Sequence, residues 1–278
     1  MKHALIICLL FLFFAANRVD ANPAYDWYKK GSAFKAQGRY TEALEAYNKA
    51  IELDPTKALL FNNRGNLFSV LKRYKDALAD FDQAIKLDPK DGEAWYNKGN
   101  IYLGLKQFSE AEDNFAKSVE RNPNDPVKWH NYALAVGGAG RFADAIPLFD
   151  KAIAIKPDFL SAQLNKLGCL NALKRFDESE NLLKGMIQQY PQNPTVYAYM
   201  GLLLSDKGEH ARALEYNGKV AELAPKDPNA WGNKGFTLMK LGKYQNALEA
   251  FNKALELKPD YKKAIDGREE ALRLLGGK

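Results

Sequence analysis

Five asparagines stand in register along the chain. Asn63, Asn97, Asn131 and Asn165 follow one another at intervals of 34 residues, and Asn233 lies two further intervals on. A carboxamide both donates and accepts hydrogen bonds, so a periodic row of them can bind the main chain of an extended ligand without reading its side chains. Asparagine in a repeat serves equally well facing water or orienting its own helix, and both readings stand at this point.

Other chemistry is sparse. Beyond residue 21 the histidines are His130 and His210, far apart in sequence and without a second His, Cys or paired carboxylate at ligand spacing, so no metal and no cofactor is expected. Cys169 reads as a buried small residue, and as the one cysteine after residue 21 it can form no internal disulfide. Gly137-Gly138-Ala139-Gly140 lacks the Gly-Lys-Ser/Thr of a phosphate loop, and no Gly-x-Ser-x-Gly occurs. With no catalytic set, the chain is not expected to be an enzyme.

The elements that position the asparagine row follow from the same period. Proline recurs at 55, 89, 123, 157, 191, 225 and 259. From Ala24 to Tyr261 the chain divides without insertion into units 24–57, 58–91, 92–125, 126–159, 160–193, 194–227 and 228–261, which leaves no room for a catalytic domain. Within each unit apolar and small residues recur at three-to-four spacing in two blocks split by a turn, so each unit is predicted to be a helical hairpin. Glycine stands in four of the seven turns, as in Gln37-Gly38-Arg39-Tyr40, where a left-handed helix end would cost a side chain roughly 1 kcal/mol or more. The periodic proline ends the second helix by removing an amide hydrogen.

Helices of this length are marginal alone, so the hairpins must stack. Gly31, Gly65, Gly99, Gly201 and Gly235 allow close approach of two helices, while Tyr47, Phe81, Phe115, Phe149 and Phe251 fill the remaining volume. Burying each such ring stabilises by roughly 2–3 kcal/mol. Residues 262–275 continue the register as a capping helix, with Ala264, Ile265, Ala271, Leu272 and Leu275 on one face.

Trp at the fourth place, Gly at the eighth, an aromatic at the eleventh and seventeenth, Ala at the twentieth and twenty-seventh and Pro at the thirty-second resemble the tetratricopeptide repeat (TPR). The resemblance covers residues 24–261. It implies an all-α fold, a right-handed α-α superhelix (a TPR solenoid) of antiparallel helix hairpins, with the first helices lining a concave groove. On that geometry the groove floor takes the second, fifth, ninth and twelfth places, which include Asn62, Asn66, Tyr96, Asn100 and His130, beside the row Asn63, Asn97, Asn131, Asn165 and Asn233. Of the 28 floor positions only Lys35 and Glu93 are charged, which suits an extended peptide better than a polyanion. The fifth place is never lysine, so the family's carboxylate clamp is absent. Lysine or arginine at the seventh place (Lys30, Arg64, Lys98, Lys166, Lys234) is expected to lay its stem over apolar neighbours with the charge in water.

The fifth unit departs from the pattern at Gln163, Leu167, Ser179, Leu183 and Met186, and Pro147 lies inside the fourth unit's second helix, so an irregularity is expected over 134–190. At the start, Lys2 and His3 precede an apolar run from Ala4 to Ala16, and Val19-Asp20-Ala21 offers small residues for cleavage. Residues 1–21 read as a signal peptide, because the apolar run of 13 residues is too short to span a bilayer, with a retained N-terminal anchor as the competing reading. The net charge of +6 is modest for 278 residues, and the groove carries no basic stripe, so no nucleic acid is expected as a partner. The resulting expectation is a non-catalytic, exported (periplasmic, cell-envelope or secreted) scaffold that binds another protein or an extended peptide in its groove. The alternative is a structural self-assembly module, a homo-oligomer that stacks through its end repeats.

Overall fold

The computed structural model describes residues 22–276. The expected signal segment lies outside the described residues. Among them there are fifteen helices and no strand, so the chain is all-α.

Two compact units are present, divided between Ala139 and Gly140. The first contains α1 (Pro23–Ala36), α2 (Tyr40–Leu53), α3 (Ala58–Val70), α4 (Tyr74–Leu87), α5 (Gly92–Gly104), α6 (Phe108–Arg121) and α7 (Pro126–Gly138). The second contains α8 (Phe142–Ile155), α9 (Leu160–Ala172), α10 (Phe176–Gln189), α11 (Pro194–Asp206), α12 (His210–Leu223), α13 (Pro228–Lys240), α14 (Tyr244–Leu257) and α15 (Lys262–Gly276). The fourth repeat thus contributes its first helix to one unit and its second helix to the other.

Helix boundaries follow local chemistry. Most first helices open on a side-chain cap: Asn22, Asp91, Asp125, Asn193 and Asp227 each accept a backbone N–H from the first turn. Proline at the first helical position follows four of these caps, where its missing N–H has no helical partner to lose. At the other end of each first helix one residue turns left-handed. Gly38, Gly140, Gly208 and Gly242 do so as expected, and Lys72, Lys106 and Lys174 adopt the same conformation with φ of 59°, 58° and 56°. The turn therefore needs the geometry more than the glycine. The Arg73 N–H reaches the Phe68 carbonyl and the Lys72 N–H that of Ser69, closing the helix end on itself.

Inside each unit the packing rule is steric. A Cβ on Gly31, Gly65 or Gly99 would come within 2.8 Å of the ring of Tyr47, Phe81 or Phe115, and one on Gly235 within 2.6 Å of Phe251. Those rings are buried, and the first three then meet the tenth place of the following repeat: Tyr47 clusters with Leu67, Phe81 with Ile101, and Phe115 with Ala135. In the second unit Leu183 and Leu203 share a cluster in the same way.

The division between Ala139 and Gly140 falls inside the stretch 134–190 where an irregularity is expected, while the fifth repeat itself keeps regular helices and Pro147 lies within an unbroken α8. Gln163 shows why. In three other repeats the fourth-place side chain donates to the carbonyl of the preceding periodic proline: Trp129 Nε1 to Pro123 (2.7 Å), Tyr197 Oη to Pro191 (3.1 Å) and Trp231 Nε1 to Pro225 (2.9 Å). Gln163 Nε2 makes the same bond to Pro157 at 2.9 Å.

Two expectations need correction. Three of the five seventh-place cations do not leave their charges in water: Arg64 holds Asp80 through two bonds of 2.7 and 2.8 Å, while Lys98 and Lys166 pair with Asp82 and Asp150. Lys30 and Lys234 lie over the rings of Trp27 and Trp231. On α15 the buried face is Ala264, Gly267 and Ala271, whereas Leu272 is 53% exposed. Helical spacing puts Gly267 against Phe251 and turns Leu272 outward.

Candidate functional site

The first helices carry the candidate residues at fixed places, so their geometry is set by the stacking just described. In the first unit the structure brings most of them together. Asn97 Nδ2 donates to Asn62 Oδ1 at 2.9 Å, and Asn131 Nδ2 donates to both the Tyr96 hydroxyl (3.0 Å) and Asn100 Oδ1 (2.9 Å). These bonds link α3 to α5 and α5 to α7. Each joins one repeat to the next, which fixes the orientation of the carboxamides.

That use changes what they offer. Both N–H bonds of Asn131 are engaged, which leaves its carbonyl oxygen, while Asn97 keeps a carbonyl oxygen and one N–H. The carbonyl oxygens of Asn97 and Asn131 are thus left as acceptors at repeat spacing, while Asn62 and Asn100 spend theirs within the ladder. Asn62 and His130 are buried, with 8% exposure each, and burial holds the His130 imidazole below its ordinary pKa, favouring the neutral ring. Burial likewise pushes the Tyr96 phenol up. Asn66 is half-buried and outside the ladder. Asn63 turns back on its own helix and donates to the Leu59 carbonyl at 2.8 Å, the role of helix orientation rather than ligand contact.

The floor's charges are modest. Glu93 receives Lys128 Nζ at 2.6 Å, and Lys35 is half-buried, which lowers its pKa. Cys169 is buried and its thiol is pushed up by desolvation, away from reactivity. Among the described residues no three His, Cys, Asp or Glu side chains gather as a metal-binding set, and no helix is long and apolar enough to cross a membrane.

In the second unit Asn165 is half-buried, whereas Asn233 is exposed and lines a cavity of about 330 Å³. The walls combine the floor positions of α11 (Thr195, Ala198, Leu202, Ser205) with Tyr199, Phe236, Asn217 and Thr237. Asn217 and Thr237 were absent from the candidates. Both are buried, and Asn217 Nδ2 donates to Thr237 Oγ1 at 2.8 Å. Their signal was legible: Asn217 occupies the twenty-fourth place, where Tyr47, Phe81, Phe115, Phe149 and Phe251 stand in other repeats.

Comparisons with known proteins agree with this architecture. A family profile described as TPR repeat matches residues 31–69, and three described as tetratricopeptide repeat match 62–126, 138–203 and 228–266. No curated protein matches the chain. Among solved structures, the C-terminal part of a TPR repeat-containing protein from Cytophaga hutchinsonii is similar with a TM-score of 0.74 at 18% identity, covering 86% of this chain and 98% of that one. A tetratricopeptide repeat protein from Parabacteroides merdae gives 0.59 at 18% identity over 90% and 99%. MamA from Desulfovibrio magneticus, residue 41 to its end, gives 0.54 at 20% identity over 61% and 96%. At these identities the likeness is one of fold. The profile matches and the helix hairpins together place the chain in the tetratricopeptide repeat family.

Proposed function

We propose that the chain is a non-catalytic scaffold, acting outside the cytoplasm, that holds an extended segment of another protein against the inner row of first-helix side chains. Membership of the tetratricopeptide repeat family supports a protein-binding scaffold in general. The observation that carries the specific reading is the ladder from Asn62 through Asn97 and from Tyr96 and Asn100 to Asn131. It holds carbonyl oxygens at repeat spacing in a neutral setting, which suits the backbone N–H groups of an extended partner. The apolar run from Ala4 to Ala16 supports export.

Affinity capture from envelope and secreted fractions tests the groove. Wild type is expected to retain a partner that the double variant Asn97→Ala/Asn131→Ala loses at unchanged helicity, and equal capture by both would refute groove use. For export, the intact mass of the extracellular form is expected to correspond to a chain starting at Asn22. A second reading, self-association through the end repeats, is favoured by the exposed Leu272 on α15. Sedimentation at rising concentration decides it, since a strict monomer eliminates that reading.

A further inference from the structure

The cavity of the second unit exists because two rings are missing from the sixth repeat. In five of the seven repeats the twenty-fourth place holds an aromatic ring, the fifth repeat having Leu183 there, and in three of them that ring meets a ring of the groove floor. Tyr47 meets Tyr28 with ring centroids 6.2 Å apart, Phe115 meets Tyr96 at 5.8 Å, and Phe251 meets Phe236 edge-on at 5.0 Å. In the sixth repeat the twenty-fourth place is Asn217, and the fifth place, which supplies Tyr28 and Tyr96, is Ala198. Neither side chain fills the volume of a ring.

The polar pair is not an accidental hole. Asn217 donates to the Thr237 hydroxyl, and that hydroxyl donates on to the Asn233 carbonyl at 2.9 Å. Two side chains that are 95% and 96% buried are thereby linked and held at the back of the cavity, with the Asn217 bond spending only one N–H of its carboxamide. Toward the groove the walls are Ala198, Tyr199, Leu202 and Phe236, and none of the lining residues is charged. Such a site excludes carboxylates, phosphates and cations, whose desolvation nothing there would offset. Its volume of about 330 Å³ sits at the small end of the roughly 300–1,000 Å³ typical of ligand pockets. That is room for one side chain rather than a cofactor.

We infer that this cavity receives one neutral aromatic side chain of tyrosine type from the bound segment, its ring taking the space that the missing rings leave and its hydroxyl meeting the polar lining. The ring is supplied in trans where five other repeats supply it in cis. Tyr47 shows the arrangement internally, with its ring against Gly31 and its hydroxyl 3.1 Å from Ser32 Oγ. The inference rests on the groove reading for the origin of the side chain.

p-Cresol, the side chain of tyrosine as a free molecule, is the probe, with toluene as its counterpart lacking the hydroxyl. Titrated into the full chain and followed by NMR, p-cresol is expected to bind saturably and perturb Ala198, Leu202 and Thr237. Binding is expected to be at least threefold tighter than toluene's and to fall at least tenfold in Asn217→Phe, which refills the cavity. If Asn217→Phe does not fold, Ala198→Tyr fills the same space from the groove side. Absence of saturable binding, or binding that survives both substitutions, overturns the inference; equal affinity for toluene overturns the tyrosine assignment. The capture experiment with Asn97 and Asn131 is independent. Loss of capture there with no p-cresol binding here would refute the pocket alone.

Discussion

Asn217 and Thr237 form a hydrogen-bonded pair of 2.8 Å at a contact between successive repeats where the other repeats pair apolar side chains. Removing one partner leaves the other buried without its bond, which is more costly than replacing both. Asn217→Leu and Thr237→Leu singly are therefore expected to destabilise by about 1–2 kcal/mol. The double variant is expected to recover most of that loss, with a coupling of about 1 kcal/mol in a denaturation cycle. Additive losses would show that the pair is not acting as a unit.

The left-handed lysines are a second point of leverage. At φ near 60° a side chain costs roughly 1–2 kcal/mol, while glycine loses roughly 0.5–1 kcal/mol more backbone entropy on folding. Lys72→Gly and Lys106→Gly are expected to raise stability by about 0.5–1 kcal/mol each in chemical denaturation. Lys→Ala at the same sites, which keeps the Cβ, is expected to give no gain.

Glu180 is nearly buried on α10 and accepts hydrogen bonds from Arg212 and Lys207, both at 2.8 Å, with Lys184 at 3.0 Å. Glu209 braces the same cations, pairing with Arg212 and with Lys207. These donors, Arg212 foremost, lower the Glu180 carboxyl from its ordinary 4.5 to about 2. Because the folded pKa lies below the unfolded one, its stabilisation is complete above about pH 4.5 and is lost as pH falls through about 2. Glu180→Gln is expected to lower stability by roughly 1–3 kcal/mol at pH 7, and the gap from wild type should close on acidification toward pH 2 in thermal melts. A gap constant from pH 7 to pH 2 would contradict this account.

The bond from the fourth place to the periodic proline's carbonyl predicts a graded response. Pro157 is backed by a second donor, Gln189 Nε2 at 3.1 Å, so Gln163→Leu is expected to cost only about 1 kcal/mol. Trp231→Phe removes the Nε1 donor to Pro225 and is expected to cost more, roughly 1–3 kcal/mol, measured by denaturation. Equal losses at the two sites would mean that the second donor at Pro157 gives no compensation.

The amino-acid sequence by itself determined the fold class and the repeat frame. Period and turn residues are local and recur in all seven copies, and the glycine–aromatic pairing recurs in four, so the copies together report one hairpin pattern. It also carried the candidate row, because places on a helix map directly onto faces. What the row does with its hydrogen bonds was decided only by the tertiary structure: Asn97 and Asn131 reach residues 35 positions earlier, while Asn63, at the same place in its repeat, turns to its own helix. A side chain of such reach chooses between partners on energies of about 1 kcal/mol, which the neighbouring repeat sets and the periodicity does not encode. The same holds for Asn217. Its departure from an aromatic place was visible in the string of residues, but the cavity arises only where that short side chain, Ala198 and the next repeat's Thr237 meet in space.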